Sequence, residues 1–168
     1  MIFLTLGTYP LPFDRLVKAI DKVIAKGLIK EKIFAQIGLC DYRPRNMEYT
    51  EMLEKGVFDS YFREASGIIS HAGIGTITMA LHLGKPLLVL PRRKCFGEHV
   101  NDHQLATAKK YEELGHVIAA YDENQLMEKI NFLDKFVPRK RENQSRLVAE
   151  RVARFLNVLA VNKGINGS

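Results

Sequence analysis

The order of apolar and polar residues divides the chain into short apolar runs and longer stretches with one apolar face. The run over residues 2–6 predicts a buried strand that ends in a tight loop. From Phe13 the apolar residues recur every three or four positions, as on an amphipathic helix, and Gly27 marks the end of that helix. A second apolar run over residues 33–37 completes a β-α-β unit, which implies parallel strands with a right-handed crossover.

The rest of the chain continues this alternation. Residues 41–54 are polar with one proline and predict a loop with a short helix. Further strands are predicted at residues 67–70, 86–90 and 117–120, and further helices at residues 76–83, 101–114, 123–133 and 142–159. We therefore expect an α/β fold, a single doubly wound Rossmann-like domain with a mainly parallel sheet over residues 1–161, followed by a flexible tail over residues 162–168.

The charge of the chain narrows the class of partner. The 168 residues carry a formal net charge of +6, which favours anionic partners. The basic residues are dispersed, with Arg139, Lys140 and Arg141 as the densest group, and they do not alternate with aromatic residues. This pattern argues against nucleic acid and leaves phosphates or an anionic membrane surface.

The cysteines and the hydropathy bear on the compartment. Cys40 and Cys95 lie far apart, outside any metal-ligand spacing, as expected of two thiols in a reducing environment. No apolar run approaches the roughly 20 residues of a spanning helix, and residues 1–6 are too few for a signal-peptide core. We expect a cytoplasmic protein whose membrane contact is peripheral or made through a partner.

Candidate chemistry concentrates in the loops that follow the predicted strands, which share one rim of a parallel sheet. The loop over residues 70–76 opens directly into a helix, and Gly73 and Gly75 would let its backbone approach a ligand closely. Free N–H groups at that helix end attract phosphates, and Arg92 and Arg93 follow the next strand. The glycines fit a tight turn equally well, and the arginines fit a solvated basic pair.

Two nucleotide-binding classes are disfavoured by missing motifs. The first loop lacks the G-x-G-x-x-G fingerprint of dinucleotide-binding oxidoreductases, and the second strand ends without a carboxylate. No G-K-[ST] follows a glycine-rich loop, so ATP hydrolysis is not indicated.

The segment over residues 97–104 is rich in polar and ionisable side chains at a predicted strand-to-helix turn. His99 and His103 are four apart and could share a metal if both were helical, although H-E-x-x-H is absent. Asn101 or Asp102 could simply cap the helix. Alternatively, carboxylate, amide and imidazole groups at such a turn could orient the hydroxyl groups of a sugar.

Three ordered blocks carry a family resemblance: SHAGIGT at residues 70–76, GKPLLVLPRR at 84–93 and EHVNDHQ at 98–104. Together they resemble the small catalytic subunit of two-component glycosyltransferases, which include bacterial exopolysaccharide and capsule enzymes and the eukaryotic transferase of the dolichol-linked precursor. More distantly, the chain is similar to the C-terminal half of the peptidoglycan N-acetylglucosaminyltransferase. The resemblance implies the fold of the C-terminal half of a GT-B enzyme.

The resemblance also implies a reaction, in which a lipid-linked acceptor attacks a UDP-sugar with inversion. The sugar of the donor could be glucuronic acid, galactose or N-acetylglucosamine. Because the sequence has no D-x-D motif, we expect no metal ion at the diphosphate and no other cofactor. By resemblance, the residues expected at the nucleotide and its phosphates are Gly7, Thr8, His71, Gly73, Gly75, Thr76, Arg92 and Arg93. Those expected at the sugar are Glu98, Asn101, Asp102, His103 and Gln104.

Several assignments within this scheme are open. Met79 stands where related enzymes carry a glutamate for the ribose, so Thr76, Thr78 or a backbone group could substitute. His71 is a candidate general base, although the family implies that a membrane-anchored companion supplies the base and the acceptor site. The predicted helix that begins at Glu142 and ends at Leu159 could dock that companion or pack on its own domain. A sugar-nucleotide-binding module without turnover is the alternative function.

Overall fold

The computed structural model describes residues 1–140, where six strands and five α-helices alternate along the chain. The strands are β1 (Ile2–Thr5), β2 (Ile33–Gln36), β3 (Glu48–Thr50), β4 (Gly67–Ser70), β5 (Leu87–Val89) and β6 (Ile118–Ala119). The α-helices are α1 (Asp14–Ala25), α2 (Lys55–Glu64), α3 (Ile74–His82), α4 (His103–Glu113) and α5 (Glu123–Lys129). Two short 3-10 helices cover Lys94–Phe96 and Ile130–Lys135.

The strands form one sheet in the order β3-β2-β1-β4-β5-β6, and every pair of neighbours is parallel. The chain adds strands outward from β1 on one side and then returns to add β4, β5 and β6 on the other. The strand order therefore reverses between β1 and β4, which is the point where open α/β sheets bind ligands. The doubly wound fold expected from the sequence is confirmed.

Alternate residues of the strands point into two separate cores. On one face Leu4 is buried with α1 and α5, and on the other Phe3 is buried with α2, α3 and α4. Phe3 has no solvent exposure and packs edge-on against Phe58 and Phe62. Burying a phenylalanine of this kind contributes about 1.5 to 3 kcal/mol, so layers on both faces hold the central strands in place.

The segment over residues 41–54 differs from the expected loop with a short helix. It contains the edge strand β3, and the helix α2 begins only at Lys55. Glu48 and Tyr49 of this strand are exposed, so the strand has no apolar run in the sequence. It is held in the sheet by pairing with β2. The residues before β3 are held by Asp21 of α1. Its carboxylate accepts hydrogen bonds from Tyr42 Oη and from the backbone N–H groups of Arg45 and Asn46.

The other predicted elements that fall within residues 1–140 agree with the structure to within a few residues, except that one predicted helix is divided in two. The helix expected over residues 123–133 is α5 up to Lys129 and continues as a 3-10 helix to Lys135. The helix expected between Glu142 and Leu159 and the tail over residues 162–168 lie outside the described residues. Within residues 1–140, no helix combines the length and apolar character needed to cross a bilayer.

The two cysteines are free and differ in environment. Cys40 is buried, its Sγ accepts a hydrogen bond from the Phe13 N–H at 3.3 Å, and burial raises its pKa to about 12. Cys95 is exposed on the 3-10 turn Lys94–Phe96. Thiolate chemistry is therefore suppressed at the first and sterically open at the second.

Candidate functional site

The loops after β1, β4 and β5 meet at the carboxyl rim of the sheet and are bonded to one another. Ser70 Oγ, at the end of β4, donates to the carbonyl of Thr5 at the end of β1, at 2.5 Å. The Leu90 N–H, just after β5, donates to the Ser70 carbonyl at 2.9 Å. The structure thus brings together the loops after β1 and β4, where phosphates were expected, and the loop after β5, which carries Arg92 and Arg93.

His71 fills the space between the two glycines that face each other across this rim. A Cβ atom built on Gly73 would lie 2.2 Å from His71 Nε2, and one built on Gly7 would lie 2.6 Å from His71 Cε1. Gly7 also has φ of +69°, a conformation that disfavours side chains. Both glycines are therefore required by the imidazole between them.

The imidazole of His71 is neutral. The residue is only 8% exposed, and His71 Nδ1 lies 3.0 Å from Ser70 Oγ. Burial lowers its pKa to about 3, with further lowering from the charges of Arg92 and His99. A base this weak is poorly matched to proton abstraction near neutral pH, which argues against the candidate role of general base in the free chain.

The helix α3 presents an open N-terminus beside this histidine. Gly73 occupies the N-cap position, and no side chain caps the first turn, so its leading N–H groups remain available. A Cβ atom built on Gly75 would meet nothing within 4 Å. Gly75 and Ile74 are exposed, while Thr76 is half-buried. This end of α3 has the space and the dipole to hold an anion.

Arg92, expected at the phosphates by resemblance, lies beneath the rim and bonds within the chain. The residue is 1% exposed, and its guanidinium is surrounded by backbone carbonyl acceptors. Its hydrogen bonds go to the carbonyls of Leu6, Leu11, Pro12 and Glu98 at 2.9 to 3.2 Å. It also lies over the Phe13 ring at 4.8 Å. Arg92 therefore ties the loop after β1 to the loop after β5.

Arg93 is half-buried beside that network. Its guanidinium lies over the Phe96 ring at 5.5 Å, and its Nε is buried without a hydrogen-bond partner in the described part of the chain. Its backbone N–H donates to Glu98 Oε2 at 2.9 Å. Within residues 1–140, the Arg93 side chain makes no hydrogen bond, whereas Arg92 uses both terminal nitrogens and leaves only its Nε unpaired.

Glu98, expected at the sugar by resemblance, is bonded within the chain as a structural carboxylate. The residue is 4% exposed, and its two oxygens accept from Arg15 Nε at 2.7 Å and Arg15 Nη2 at 2.9 Å. With the Arg93 N–H as a third donor, its lone pairs are directed inward. Arg15 also donates to the Pro91 carbonyl, so this ion pair fastens α1 to the loop after β5.

Gln104 joins the glycine loop to the arginine loop from the first turn of α4. The side chain is 3% exposed, and its Oε1 accepts from the Ala72 N–H at 3.2 Å and the Arg92 N–H at 3.1 Å. This carboxamide oxygen therefore holds the two loops at a fixed separation and faces the backbone, whereas the sequence assigned Gln104 to the sugar.

The remaining predicted residues are exposed on the outer side of the rim. Thr8, Asn101, Asp102 and His103 are all accessible. Asn101 Oδ1 bonds to the backbone N–H and to the ring Nδ1 of His103, and Asp102 Oδ1 accepts from the Lys94 N–H at 2.8 Å. These groups are ordered by local hydrogen bonds and keep free capacity toward solvent.

Tyr9 and Arg15 contribute to the rim although the sequence did not single them out. The Tyr9 ring stacks on His99 with centroids 4.3 Å apart, and His99 meets His103 edge-on at 4.6 Å. The sequence does not mark Arg15 as a residue of the rim, because an arginine on an amphipathic helix is ordinarily solvated. Within residues 1–140, no group of three His, Cys, Asp or Glu side chains is placed so that it could hold a metal ion.

Met79, at the position expected for ribose recognition, is half-buried and packs against the core formed with α2, α3 and α4. A thioether in that setting offers at most a weak acceptor to a ribose hydroxyl. Thr78 is exposed one residue earlier and Thr76 half-exposed, so these hydroxyls are the polar side chains that this part of α3 offers.

Comparisons with known proteins agree with this architecture. The model of the glycosyltransferase family 28 C-terminal domain matches residues 1–159. The UDP-N-acetylglucosamine transferase subunit ALG13 of Candida albicans is 38% identical over 60 residues, which cover 36% of this chain and 19% of that protein.

Among solved structures, the solution structure of ALG13 aligns with a TM-score of 0.56 at 18% identity, covering 90% of this chain and 94% of that one. MurG of Acinetobacter baumannii aligns with a TM-score of 0.55 at 18% identity, covering 90% of this chain and 49% of that one. The kitacinnamycin glycotransferase aligns with a TM-score of 0.58 at 22% identity, covering 80% of this chain. At these identities the likeness is one of fold. The chain spans about a fifth of the curated relative and a third of the kitacinnamycin enzyme.

Proposed function

The chain belongs to the glycosyltransferase family 28 C-terminal domain family, and from that premise we propose that it is the donor-binding subunit of a glycosyltransferase. Its donor is a UDP-sugar, and it transfers the sugar with inversion to a lipid-linked acceptor together with a membrane-anchored companion. The reaction needs no metal and no other cofactor, and it belongs to surface polysaccharide synthesis.

The open N-terminus of α3, beside the switch point of the sheet, is the observation that carries the proposal. The uncapped first turn, the empty space next to Gly75 and the nearby Arg92 charge together suit a diphosphate. The carboxylate of Glu98 does not oppose an anion there, because its charge is compensated by Arg15. Helix-terminal N–H groups would also stabilise the negative charge that develops on the leaving diphosphate.

The outer side of the rim suits the sugar. Asn101, Asp102 and His103 offer amide, carboxylate and imidazole groups to solvent within one short segment that leads into α4. Such groups can orient hydroxyls by hydrogen bonds. N-Acetylglucosamine is the first donor to test, because a relative with 38% identity over 60 residues is named as a UDP-N-acetylglucosamine transferase subunit.

A companion subunit is proposed because, within residues 1–140, neither His71 nor Glu98 is suited to act as the base. The His71 pKa is about 3, and Glu98 is engaged by Arg15. The structural alignment with MurG covers 49% of that protein. We place the protein in the cytoplasm, recruited to the inner membrane face by its companion through the predicted helix from Glu142 to Leu159.

Truncation before Glu142 tests the docking proposal. Nucleotide binding should persist, while co-purification with the companion and transfer to the lipid-linked acceptor should be lost. Circular dichroism and thermal unfolding provide the control for folding. If the truncated chain unfolds, or if it still co-purifies, the docking role of this helix is wrong.

The alternative is a binding module without turnover, and the unsuitability of His71 and Glu98 as bases favours it equally. Calorimetric titration with UDP and UDP-N-acetylglucosamine, followed by transfer assays with and without the companion, separates the two functions. Transfer only in the presence of both chains supports the subunit proposal. Tight binding without transfer under either condition supports the module, and absence of nucleotide binding contradicts both.

A further inference from the structure

The Ser70 hydroxyl determines which nitrogen of His71 carries the proton. Ser70 has a single hydroxyl hydrogen, and it is donated to the Thr5 carbonyl at 2.5 Å, where only an acceptor is available. The contact of 3.0 Å between Ser70 Oγ and His71 Nδ1 then requires a donor on the histidine. The neutral ring therefore carries its hydrogen on Nδ1 and a bare lone pair on Nε2.

The bare Nε2 lies on the side of the ring where the phosphates of the proposed ligand are expected. Among its neighbours, Nε2 lies nearest to the position that a Cβ atom of Gly73 would occupy. Gly73 is at the start of α3, where its carbonyl accepts a hydrogen bond from the Ile77 N–H. Residues 1–140 supply no hydrogen-bond partner for this nitrogen. Since a phosphate oxygen near neutral pH is an acceptor, it can pair with Nε2 only if that nitrogen gains a hydrogen.

We propose that His71 takes up a proton from solvent when a nucleoside diphosphate binds, so that Nε2–H donates to a phosphate oxygen while Nδ1–H stays on Ser70. This inference rests on the proposed function, because it concerns the same phosphate site. It makes His71 a binding residue whose charge depends on the ligand, and it makes donor affinity depend on pH.

The charges around His71 explain why the proton arrives only with the ligand. Arg92, from the loop after β5, and His99, from the segment before α4, both lower the His71 pKa, and burial lowers it most. The first turn of α3 and the loop after β4 carry no other titratable group, and the loop after β1 carries only Tyr9, which stacks on His99. The Glu98 carboxylate in the loop after β5 is paired with Arg15. A diphosphate therefore adds uncompensated negative charge, which stabilises the imidazolium.

A tautomer exchange is the competing mechanism. Ser70 could rotate and donate to Nδ1, which would move the ring hydrogen to Nε2 without net proton uptake. The Thr5 carbonyl would then lose the buried donor it now has. The two mechanisms differ in one measurable quantity, the number of protons bound per ligand.

Calorimetry of the full chain with UDP-N-acetylglucosamine, in two phosphate-free buffers of different ionisation enthalpy, measures that number. Its diphosphate is a diester and does not titrate near neutral pH, unlike a terminal phosphate with a pKa near about 6. Uptake should approach about one proton per site toward pH 5 and decline toward pH 8. Affinity should rise as the pH falls through the bound-state pKa, by up to about tenfold per pH unit.

His71→Gln is the matched variant, because its amide can donate near the Nε2 position without taking up a proton. Proton uptake should disappear, and the pH profile of the weakened binding that remains should flatten. Nitrogen NMR of the His71 ring gives an independent measurement on the unmodified chain, with both nitrogens protonated in the complex. Uptake that persists in His71→Gln, or a neutral ring in the complex, overturns the inference.

These outcomes are distinct from failure of the proposed function. If neither UDP-N-acetylglucosamine nor UDP binds, the proposed function fails and the inference with it. If UDP binds but the sugar nucleotide does not, the same comparison is made with UDP, whose own ionisation is common to both proteins and cancels. Binding of either ligand without proton uptake overturns the inference alone.

Discussion

The rim of the sheet has two layers that differ in what their side chains bond to. The inner layer consists of Ser70, His71, Arg92, Glu98 and Gln104, which are buried and whose resolved hydrogen bonds are made within the chain. The outer layer consists of Thr8, Gly75, Asn101, Asp102 and His103, which are exposed. The inner layer fixes the loops before any ligand arrives, and the outer layer is free to contact it.

This division explains why buried polar groups are tolerated at the rim. An unpaired buried polar group costs about 1 to 3 kcal/mol, so most polar atoms of the inner side chains are matched by donors or acceptors from another loop, although Arg92 Nε has no partner within residues 1–140. Glu98 and Gln104 meet this requirement by bonding to backbone N–H groups of the neighbouring segments. Changes in the inner layer should therefore affect folding and binding together, and changes in the outer layer should affect binding alone.

Replacing Arg92 by methionine should have the largest effect. The variant leaves the carbonyls of Leu6, Leu11 and Pro12 without their donor, with an expected loss of about 3 kcal/mol or more in unfolding free energy. Urea denaturation measures it. Arg93→Met is the control and should cost less than about 1 kcal/mol. A stable Arg92→Met that loses only phosphate affinity would assign Arg92 to the outer layer instead.

Gly73→Ala should follow in size, because the new Cβ would lie 2.2 Å from His71 Nε2 and would displace the ring. We expect a loss of about 1 to 3 kcal/mol in stability together with UDP binding. Thermal unfolding and calorimetry measure the two effects.

Gly75→Val is the matched change in the outer layer, since nothing lies within 4 Å of its Cβ position. Its stability should change by less than about 1 kcal/mol, while UDP binding should be abolished. Unchanged UDP affinity in a folded Gly75→Val chain contradicts the phosphate site at α3.

Acid should destabilise the free chain through His71. Its pKa falls from 6.5 in the unfolded chain to about 3 in the folded one, so the unfolded state binds more protons between these values. Stability due to this group is complete above pH 6.5 and declines as the pH falls toward 3, by up to about 1.4 kcal/mol per pH unit. The difference between wild type and His71→Gln in denaturation at each pH isolates this effect. Equal pH dependence in both proteins contradicts a buried neutral imidazole.

The smallest expected effect is a difference in ligand affinity between variants of Gln104 and of Asp102. Gln104→Ala removes the acceptor of two backbone N–H groups in the nucleotide loops, so affinities for UDP and for the sugar nucleotide should fall together. Asp102→Asn keeps an acceptor for the Lys94 N–H but loses its charge, so only the sugar nucleotide should bind more weakly, by about threefold to tenfold. Equal losses in both variants would place the two residues in the same layer.

The sequence was sufficient for the architecture because periodicity reports burial. The central strands are continuous apolar runs, and α1 shows its apolar face directly, so their positions were predictable. The edge strand β3 was missed because Glu48 and Tyr49 are exposed and leave no apolar run. Pairing with β2 is a tertiary effect that local sequence does not encode.

The motifs located the rim but could not divide it into layers. Glu98 and Asp102 are both acidic and four residues apart, yet only Glu98 meets Arg15, a residue 83 positions away in sequence. The same applies to Arg92 and Arg93, adjacent in sequence and unlike in burial. The sequence shows which residues reach a loop, whereas their partners depend on where distant segments cross.

The contrast between the two cysteines provides a reporter for the site without further engineering. The chain has two cysteines, and Cys40 is protected by burial and by a pKa of about 12. A maleimide dye applied near neutral pH should therefore label Cys95 selectively, on the turn whose Lys94 N–H is held by Asp102. Fluorescence from that single position would follow nucleotide arrival and companion docking in real time, in a chain of native sequence.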